Sequence, residues 1–144
     1  MKFKQNNQPN EEVYQEGIRI KLMIRPRDKV CLFHARHDLL PPFMLGDLNL
    51  MLDWAEDDCD SIVYWLQKDD RLADIAAHLE KQIRPSGRIW LVVSSNSATP
   101  VESVQNEFTE RNNLKPGKTV SIGGAEIALL FVRRKSALEE PSDL

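Results

Sequence analysis

The most regular pattern in the chain is a pair of apolar runs separated by an amphipathic segment, between residues 60 and 95. The first run covers residues 62–66 and the second covers residues 89–93. Unbroken apolar runs of this length are typical of parallel strands that helices cover on both faces. The segment between them repeats apolar residues at three- and four-residue steps, as one face of a helix does. The positions on that face are Leu72, Ile75, Ala76, Leu79 and Ile83. We therefore predict a strand–helix–strand crossover at the centre of the fold.

The ends of this helix carry residues that usually start and stop helices. Asp69 or Asp70 is expected to cap the first turn, because a short carboxylate accepts the free N–H groups there. Pro85 is expected to end the helix, and Gly87 to supply the turn into the next strand. The polar side of the helix is expected to hold Asp74, His78, Glu80 and Lys81.

The chain before the crossover predicts one helix and two further strands. Residues 11–23 place Tyr14, Ile18 and Leu22 on one stripe, which indicates a helix. Residues 30–33 form a fully apolar run and are expected to be the first strand of the sheet. Residues 34–46 are irregular because two prolines interrupt them. Residues 48–54 (LNLMLDW) fit a strand or a helical turn, and the strand is favoured.

A second helix is predicted after the crossover. Thr99 and Glu102 have the spacing of a capping box, with Pro100 at the first helical position. Asn112 or Asn113 is expected to end this helix in the left-handed conformation.

The last part of the domain reads as a β-hairpin. Residues 115–117 (Lys-Pro-Gly) are expected to form a turn. Residues 119–122 and 126–133 are expected to be two antiparallel strands joined at Gly123 and Gly124. The whole pattern predicts a single α/β domain over residues 11–135, with a mostly parallel sheet closed by this antiparallel pair. Residues 1–10 are expected to be disordered, and residues 136–144 a mobile acidic tail.

Composition excludes several classes of function. The formal net charge of −3 gives no electrostatic argument for nucleic acid as a partner. No apolar segment is long enough to span a bilayer, and the N-terminus lacks the apolar core of a secretory signal, so a cytoplasmic location is expected. Cys31, in an apolar run, is expected to be buried. Cys59 lies among acidic residues, and like charge is expected to raise the pKa of its thiol.

Three segments of the chain resemble the DUF3052 family of small bacterial proteins. They are KLMIRPRDKV at residues 21–30, IRPSGRIWLV at 83–92 and LLFVRR at 129–134. Met23 and Arg27 stand where that family tends to have glycine. The turn and strand at 83–93 also resemble a segment of class I methyltransferases. The resemblance implies a three-layer Rossmann-like fold, a shortened class I methyltransferase domain, and carries no established activity.

Polar residues follow three of the predicted strands at the edge where open parallel sheets bind ligands. They are His34, Arg36, His37 and Asp38 after the first strand, Asp53 after the second, and Ser94 and Ser95 after the last strand of the crossover. The first group fits a small anion site, a partial metal site or solvated loop residues, and no metal site is predicted. An acidic residue at the position of Asp53 holds a ribose in nucleotide-binding proteins.

A glycine-rich loop after the first strand is missing from this sequence. No glycine occurs between Gly17 and Gly46, so bulky side chains are expected to occupy the space of a nucleotide cofactor. We therefore predict a binding or interaction module without a cofactor, whose partner is an unidentified protein or small molecule. The alternative is a small S-adenosylmethionine-dependent methyltransferase, or another nucleotide-binding transferase, using the cleft at His34–Asp38 and Asp53. A homodimer built on exposed faces is a third hypothesis.

Overall fold

A six-stranded sheet forms the centre of the molecule in a computed structural model that describes residues 17–134. Its strands are β1 (Lys29–Phe33), β2 (Asn49–Leu52), β3 (Cys59–Trp65), β4 (Ile83–Ser94), β5 (Leu114–Gly123) and β6 (Glu126–Arg133). They lie in the order β2-β1-β3-β4-β6-β5. The strands β2, β1, β3 and β4 are parallel, and β6 is antiparallel to both of its neighbours. The predicted fold class, a Rossmann-like α/β sheet with an antiparallel C-terminal pair, is confirmed.

Helices cover both faces of the sheet. The helix α1 occupies residues 17–21, α2 is Leu72–Glu80 and α3 is Val101–Thr109. Two short 3₁₀ helices, His37–Leu39 and Pro41–Phe43, follow β1. One core lies between the sheet and α2 and α3, and the other lies under α1 and the 3₁₀ helices. The indole N–H of buried Trp90 donates to the Leu22 carbonyl at 3.0 Å and attaches the end of α1 to the second core.

The predicted crossover is confirmed as β3, α2 and β4, but the cap of its helix is not. Arg71 occupies the cap position of α2, and no side chain bonds to the first turn. Asp70 instead accepts hydrogen bonds from the Tyr64 hydroxyl at 3.0 Å and from the Gln67 N–H at 2.7 Å. The carboxylate is therefore used to fix the loop after β3 rather than the helix, and Asp69 is exposed.

The expected roles of Pro85 and Gly87 are wrong. The helix ends at Glu80, and both residues lie inside β4, opposite an irregularity in β3 between Cys59 and Ser61. A Cβ at Gly87 would lie 2.8 Å from the Cys59 carbonyl oxygen, which no real side chain tolerates. Gly87 is required because two backbones approach closely, and not because the chain turns.

The two ends of α3 also differ from the prediction. Pro100 occupies the cap position, and no side chain of the expected capping box bonds to the helix. Neither Asn112 nor Asn113 takes a left-handed conformation. The Asn112 side chain donates to the Phe108 carbonyl at 2.7 Å and accepts the Leu114 N–H at 3.0 Å, so it satisfies the helix end directly.

The C-terminal hairpin is confirmed. Gly123 and Gly124 have φ values of 123° and 56°, which favour glycine, and β5 is an outer strand of the sheet. The expected turn at residues 115–117 is wrong, since these residues lie inside β5 at a register shift. β5 is therefore longer than predicted and runs along the whole of β6.

The connection from β2 to β3 contains no helix. Residues 53–58, which we name the strap, cross β1 on the face that carries Cys31. The Cys31 thiol donates to the Trp54 carbonyl, and the Cys59 thiol donates to the Glu56 carbonyl at 3.1 Å. Burial raises the pKa of Cys31 to about 12 and that of Cys59 to about 11. Burial, rather than the like charge expected from the sequence, is the main cause for Cys59, which begins β3.

Several expectations concern residues outside the described part. The expected disorder of residues 1–10, the start of the first helix and the acidic tail at residues 136–144 all lie there. Within residues 17–134, none of the helices has the length and apolar character needed to cross a bilayer.

Candidate functional site

The loops that leave β1 and β2 meet at the carboxyl edge of the sheet. His34 follows β1 with a φ of 60°, and Asp53 follows β2 with a φ of 66°. Both values lie in the left-handed region, where glycine is favoured. The Asp53 carboxylate Oδ1 accepts the backbone N–H of His34 at 2.8 Å. The structure thus brings together two of the residues that the sequence singled out, and the turn after β1 has a glycine-like backbone without a glycine.

The side chain of His34 is held against an aromatic ring of β3. The His34 and Tyr64 rings meet edge to face, with their centroids 5.3 Å apart. The Tyr64 hydroxyl donates to Asp70, and burial together with this partner raises the pKa of Tyr64 to about 12. Tyr64 therefore stays protonated at neutral pH and acts as a wall and a donor, not as a base.

A cleft of about 690 Å³ opens beside His34, beyond the ends of β3 and β4. Four of the predicted site residues line it, namely His34, Arg36, Ser94 and Ser95. The first turn of α3, the end of β3 and the start of β6 complete its wall. Its size is ordinary for a site that binds a small molecule.

A second cavity, of about 380 Å³, lies on the other side of His34. Phe33, His34 and Asp53 line it from the strand ends, and Tyr64 borders it from β3. The facing side of α2 contributes Asp74, Ile75, His78 and Leu79. The bulky residue in the space above the first strand is His34, and open cavities lie on both sides of it.

Arg36 spans the rim of the larger cleft. Its guanidinium forms ion pairs with Asp38 at 2.5 Å and with Glu126 at 2.8 Å. The hydrogen bond from Arg36 holds the pKa of Asp38 below its usual value. His37 is exposed and lines neither of these two cavities. Of the four polar residues after β1, Arg36 bridges two carboxylates at the rim and His34 borders both cavities. His37 is solvated, and Asp38 contacts the site only through Arg36.

Three further residues at the site were not predicted. Glu126 begins β6 at the carboxyl end of β4, a position that the hairpin prediction already implied. Asp74 and His78 were expected on the polar side of α2; both are exposed, and both also line the smaller cavity. The four-residue spacing of Asp74 and His78 could have indicated that they lie together, since residues so spaced share one helix face.

Metal ligation finds no support in the described part of the chain. Within residues 17–134, no three His, Cys, Asp or Glu side chains are grouped so that they could hold a metal ion.

Comparison with solved structures places this fold among class I methyltransferases. A TehB-like S-adenosylmethionine-dependent methyltransferase from Corynebacterium glutamicum has a TM-score of 0.53 at 14% identity, with 84% of this chain and 88% of that chain covered. Fibrillarin, a pre-rRNA processing protein from Methanococcus jannaschii, has a TM-score of 0.53 at 9% identity, with 78% and 69% covered. A ribosomal protein L11 methylase from Lactobacillus delbrueckii has a TM-score of 0.50 at 13% identity, with 90% and 81% covered.

The comparisons support the fold and not a family. No family model and no curated protein matches the sequence, so the resemblance to DUF3052 is not confirmed. At these identities the likeness shows a methyltransferase-like fold alone.

Proposed function

We propose that this protein binds an adenosyl-containing cofactor, with S-adenosylmethionine as the first candidate, and transfers a methyl group to a small acceptor. The observation that carries the proposal is the pair of cavities that meet at His34, with Asp53 beside the smaller one. The smaller cavity would take the adenosyl group and the larger cleft the acceptor.

The residues of the smaller cavity fit an adenosyl group. Asp53 uses Oδ1 for the His34 N–H, which leaves Oδ2 for the hydroxyls of a ribose. Phe33, Ile75 and Leu79 supply apolar surface for a purine ring. Against this fit, His34 carries a side chain where a glycine would let the cofactor approach the backbone. The two cavities offer room for both halves of the reaction, and the His34 side chain borders both.

The residues around the larger cleft suit proton transfer and orientation. When bound, S-adenosylmethionine supplies an electrophilic methyl group. The His34 imidazole borders both cavities and can take a proton from an acceptor in the larger cleft. Arg36 stays charged, and its ion pairs with Asp38 and Glu126 fix the shape of the rim. The hydroxyls of Ser94 and Ser95 lie on the same wall, where they can orient an acceptor.

Isothermal titration of the full chain with S-adenosylmethionine and S-adenosylhomocysteine tests the proposal. We expect saturable binding of both ligands. Asp53→Asn should weaken it roughly tenfold to a hundredfold, because a hydrogen bond to a charged group contributes about 1.5–3 kcal/mol. The amide oxygen of the variant still accepts the His34 N–H, so the loop should keep its shape.

Asp69→Asn is the matched control, since Asp69 is exposed and lines neither of the two cavities. It should bind as the unaltered protein does. Absence of binding up to millimolar ligand, or equal binding by the Asp53 and Asp69 variants, would rule the proposal out. Thermal melting of each variant separates lost binding from lost folding.

A further inference from the structure

The outer edge of β2 has no strand partner among residues 17–134. β2 ends the sheet on one side, and none of the described residues pairs with its outer edge. The N–H groups of Asn49 and Asp53 donate inward, to the carbonyls of Asp28 and Leu32. In a strand, the backbone N–H and C=O groups of successive residues point alternately toward one side and the other within the plane of the sheet. Those of Leu50 and Leu52 therefore point away from β1. Such a row of free backbone groups is a template for another strand.

Exposed apolar side chains are concentrated in the residues of β2 and on either side of it in the sequence. Five large apolar residues are exposed in the described part, and four of them lie within residues 44–54. Leu52 is 39% exposed on β2 itself, and Trp54 is 54% exposed at the start of the strap. Met44 and Leu45 precede the strand with exposures of 57% and 64%. A clustered patch of this kind marks an interaction surface more often than scattered residues do.

The opposite edge of the same sheet is protected. β5 carries Lys115, Pro116 and Lys118, all exposed, and lysine and proline are the residues that block pairing at a sheet edge. β2 reads Asn-Leu-Met-Leu and has neither. Among residues 17–134, the β5 edge therefore has residues that block pairing, and the β2 edge has neither lysine nor proline.

Register fits a second copy of this chain. Two antiparallel copies of β2 would bring Leu50 of one copy opposite Leu52 of the other. That register forms about four backbone hydrogen bonds around a two-fold axis.

We propose that the protein forms a homodimer by antiparallel pairing of β2 with β2 of a second copy, which joins the two sheets into one. The exposed apolar residues around β2 lie on the surface that the second copy covers. This proposal does not rest on the proposed function.

Sedimentation of the full chain over a concentration series tests the proposal. We expect a monomer–dimer equilibrium, with the dimer fraction rising as the concentration rises. Leu52→Lys should raise the dissociation constant by about tenfold or more, since two lysines would then lie close together in the interface. Leu52→Pro should do the same by removing an outward N–H while keeping the inward bonds to β1.

Thr119→Lys, an exposed change on β5, is the matched control and should leave the dissociation constant unchanged. Hydrogen exchange at Leu50 and Leu52 should slow as the concentration rises. A monomer at every concentration, or a dimer that both Leu52 variants retain, would overturn the proposal. Protection of these amides that is independent of concentration would also overturn it, because another part of the same chain would then cover the edge.

Discussion

His34 holds the turn after β1 in a conformation that a glycine would adopt more easily. Left-handed backbone costs a residue with a side chain about 1–2 kcal/mol, and fixing a glycine costs about 0.5–1 kcal/mol in lost freedom. The cost of fixing a glycine offsets about half of the left-handed cost, so the histidine is tolerated at φ 60°. The sequence could not reveal this turn, because no glycine marked it and the bond from His34 to Asp53 joins distant parts of the chain.

Replacing His34 tests whether its side chain separates the two cavities. His34→Gly should change the free energy of unfolding by less than about 1 kcal/mol, for the reason just given. Affinity for S-adenosylmethionine should rise roughly fivefold or more, equivalent to about 1 kcal/mol, because the ligand could then approach the backbone. Calorimetry and thermal melting measure the two quantities. An unchanged or lower affinity would show that His34 does not obstruct the site.

Asp47 gives the molecule a defined response to acid. Both oxygens of its carboxylate accept hydrogen bonds from the Arg19 guanidinium, at 3.0 and 2.9 Å, and that pairing lowers the pKa of Asp47. Because its pKa is lowered in the folded protein, Asp47 stabilises the folded state at any pH above the ordinary pKa of an aspartate. This contribution is lost as the pH falls through the lowered pKa.

Melting curves taken from neutral pH down to pH 3 should show this contribution. Asp47→Asn should melt below the unaltered protein at neutral pH, and the difference should shrink as acid protonates Asp47 in the unaltered protein. Asp69→Asn should show no such pattern. A difference that stays constant across this range would exclude the ion pair as its cause.

Among the elements, strands were more predictable than helix ends. The apolar runs of β3 and β4 are dictated by burial on both faces, and Gly123 and Gly124 by the backbone of a tight turn. The ends of α2 were missed because Asp70 bonds to Tyr64, a contact between side chains that residue types alone do not specify. The cavities could not be predicted either, since they depend on how α2 and the strap are placed against the sheet.

The close contact between β3 and β4 predicts a sharp sensitivity at Gly87. Gly87→Ala should lower the free energy of unfolding by about 1–3 kcal/mol, the usual cost of overpacking, since its Cβ would meet the Cys59 carbonyl at 2.8 Å. Gly17→Ala is the control, because no atom of residues 17–134 lies within 4 Å of its Cβ position. In a helix that change should be neutral or stabilise by up to about 1 kcal/mol. Urea unfolding measures both, and equal effects would contradict the account of Gly87.

At the scale of the whole molecule, stability should fall from the centre of the sheet toward β2. β3, β4 and β6 have a strand on each side, whereas β2 has only β1. Hydrogen exchange should therefore be slowest in β3, β4 and β6 and fastest among the strands in β2. Mass spectrometry of deuterated peptides at low protein concentration measures this order. Faster exchange in β4 than in β2 would contradict it.

The strap, residues 53–58, is close to the shortest chain that can connect β2 to β3 across β1. Strand spacing and rise per residue put its two ends about 16 Å apart, before the climb over the side chains of β1. Its extended reach from Leu52 to Cys59 is only about 23 Å. Deleting a single residue there would pull β2 or β3 out of register, whereas the long connection between β1 and β2 has slack. The spacing between Leu52 and Cys59 can thus shorten far less than the connection between β1 and β2.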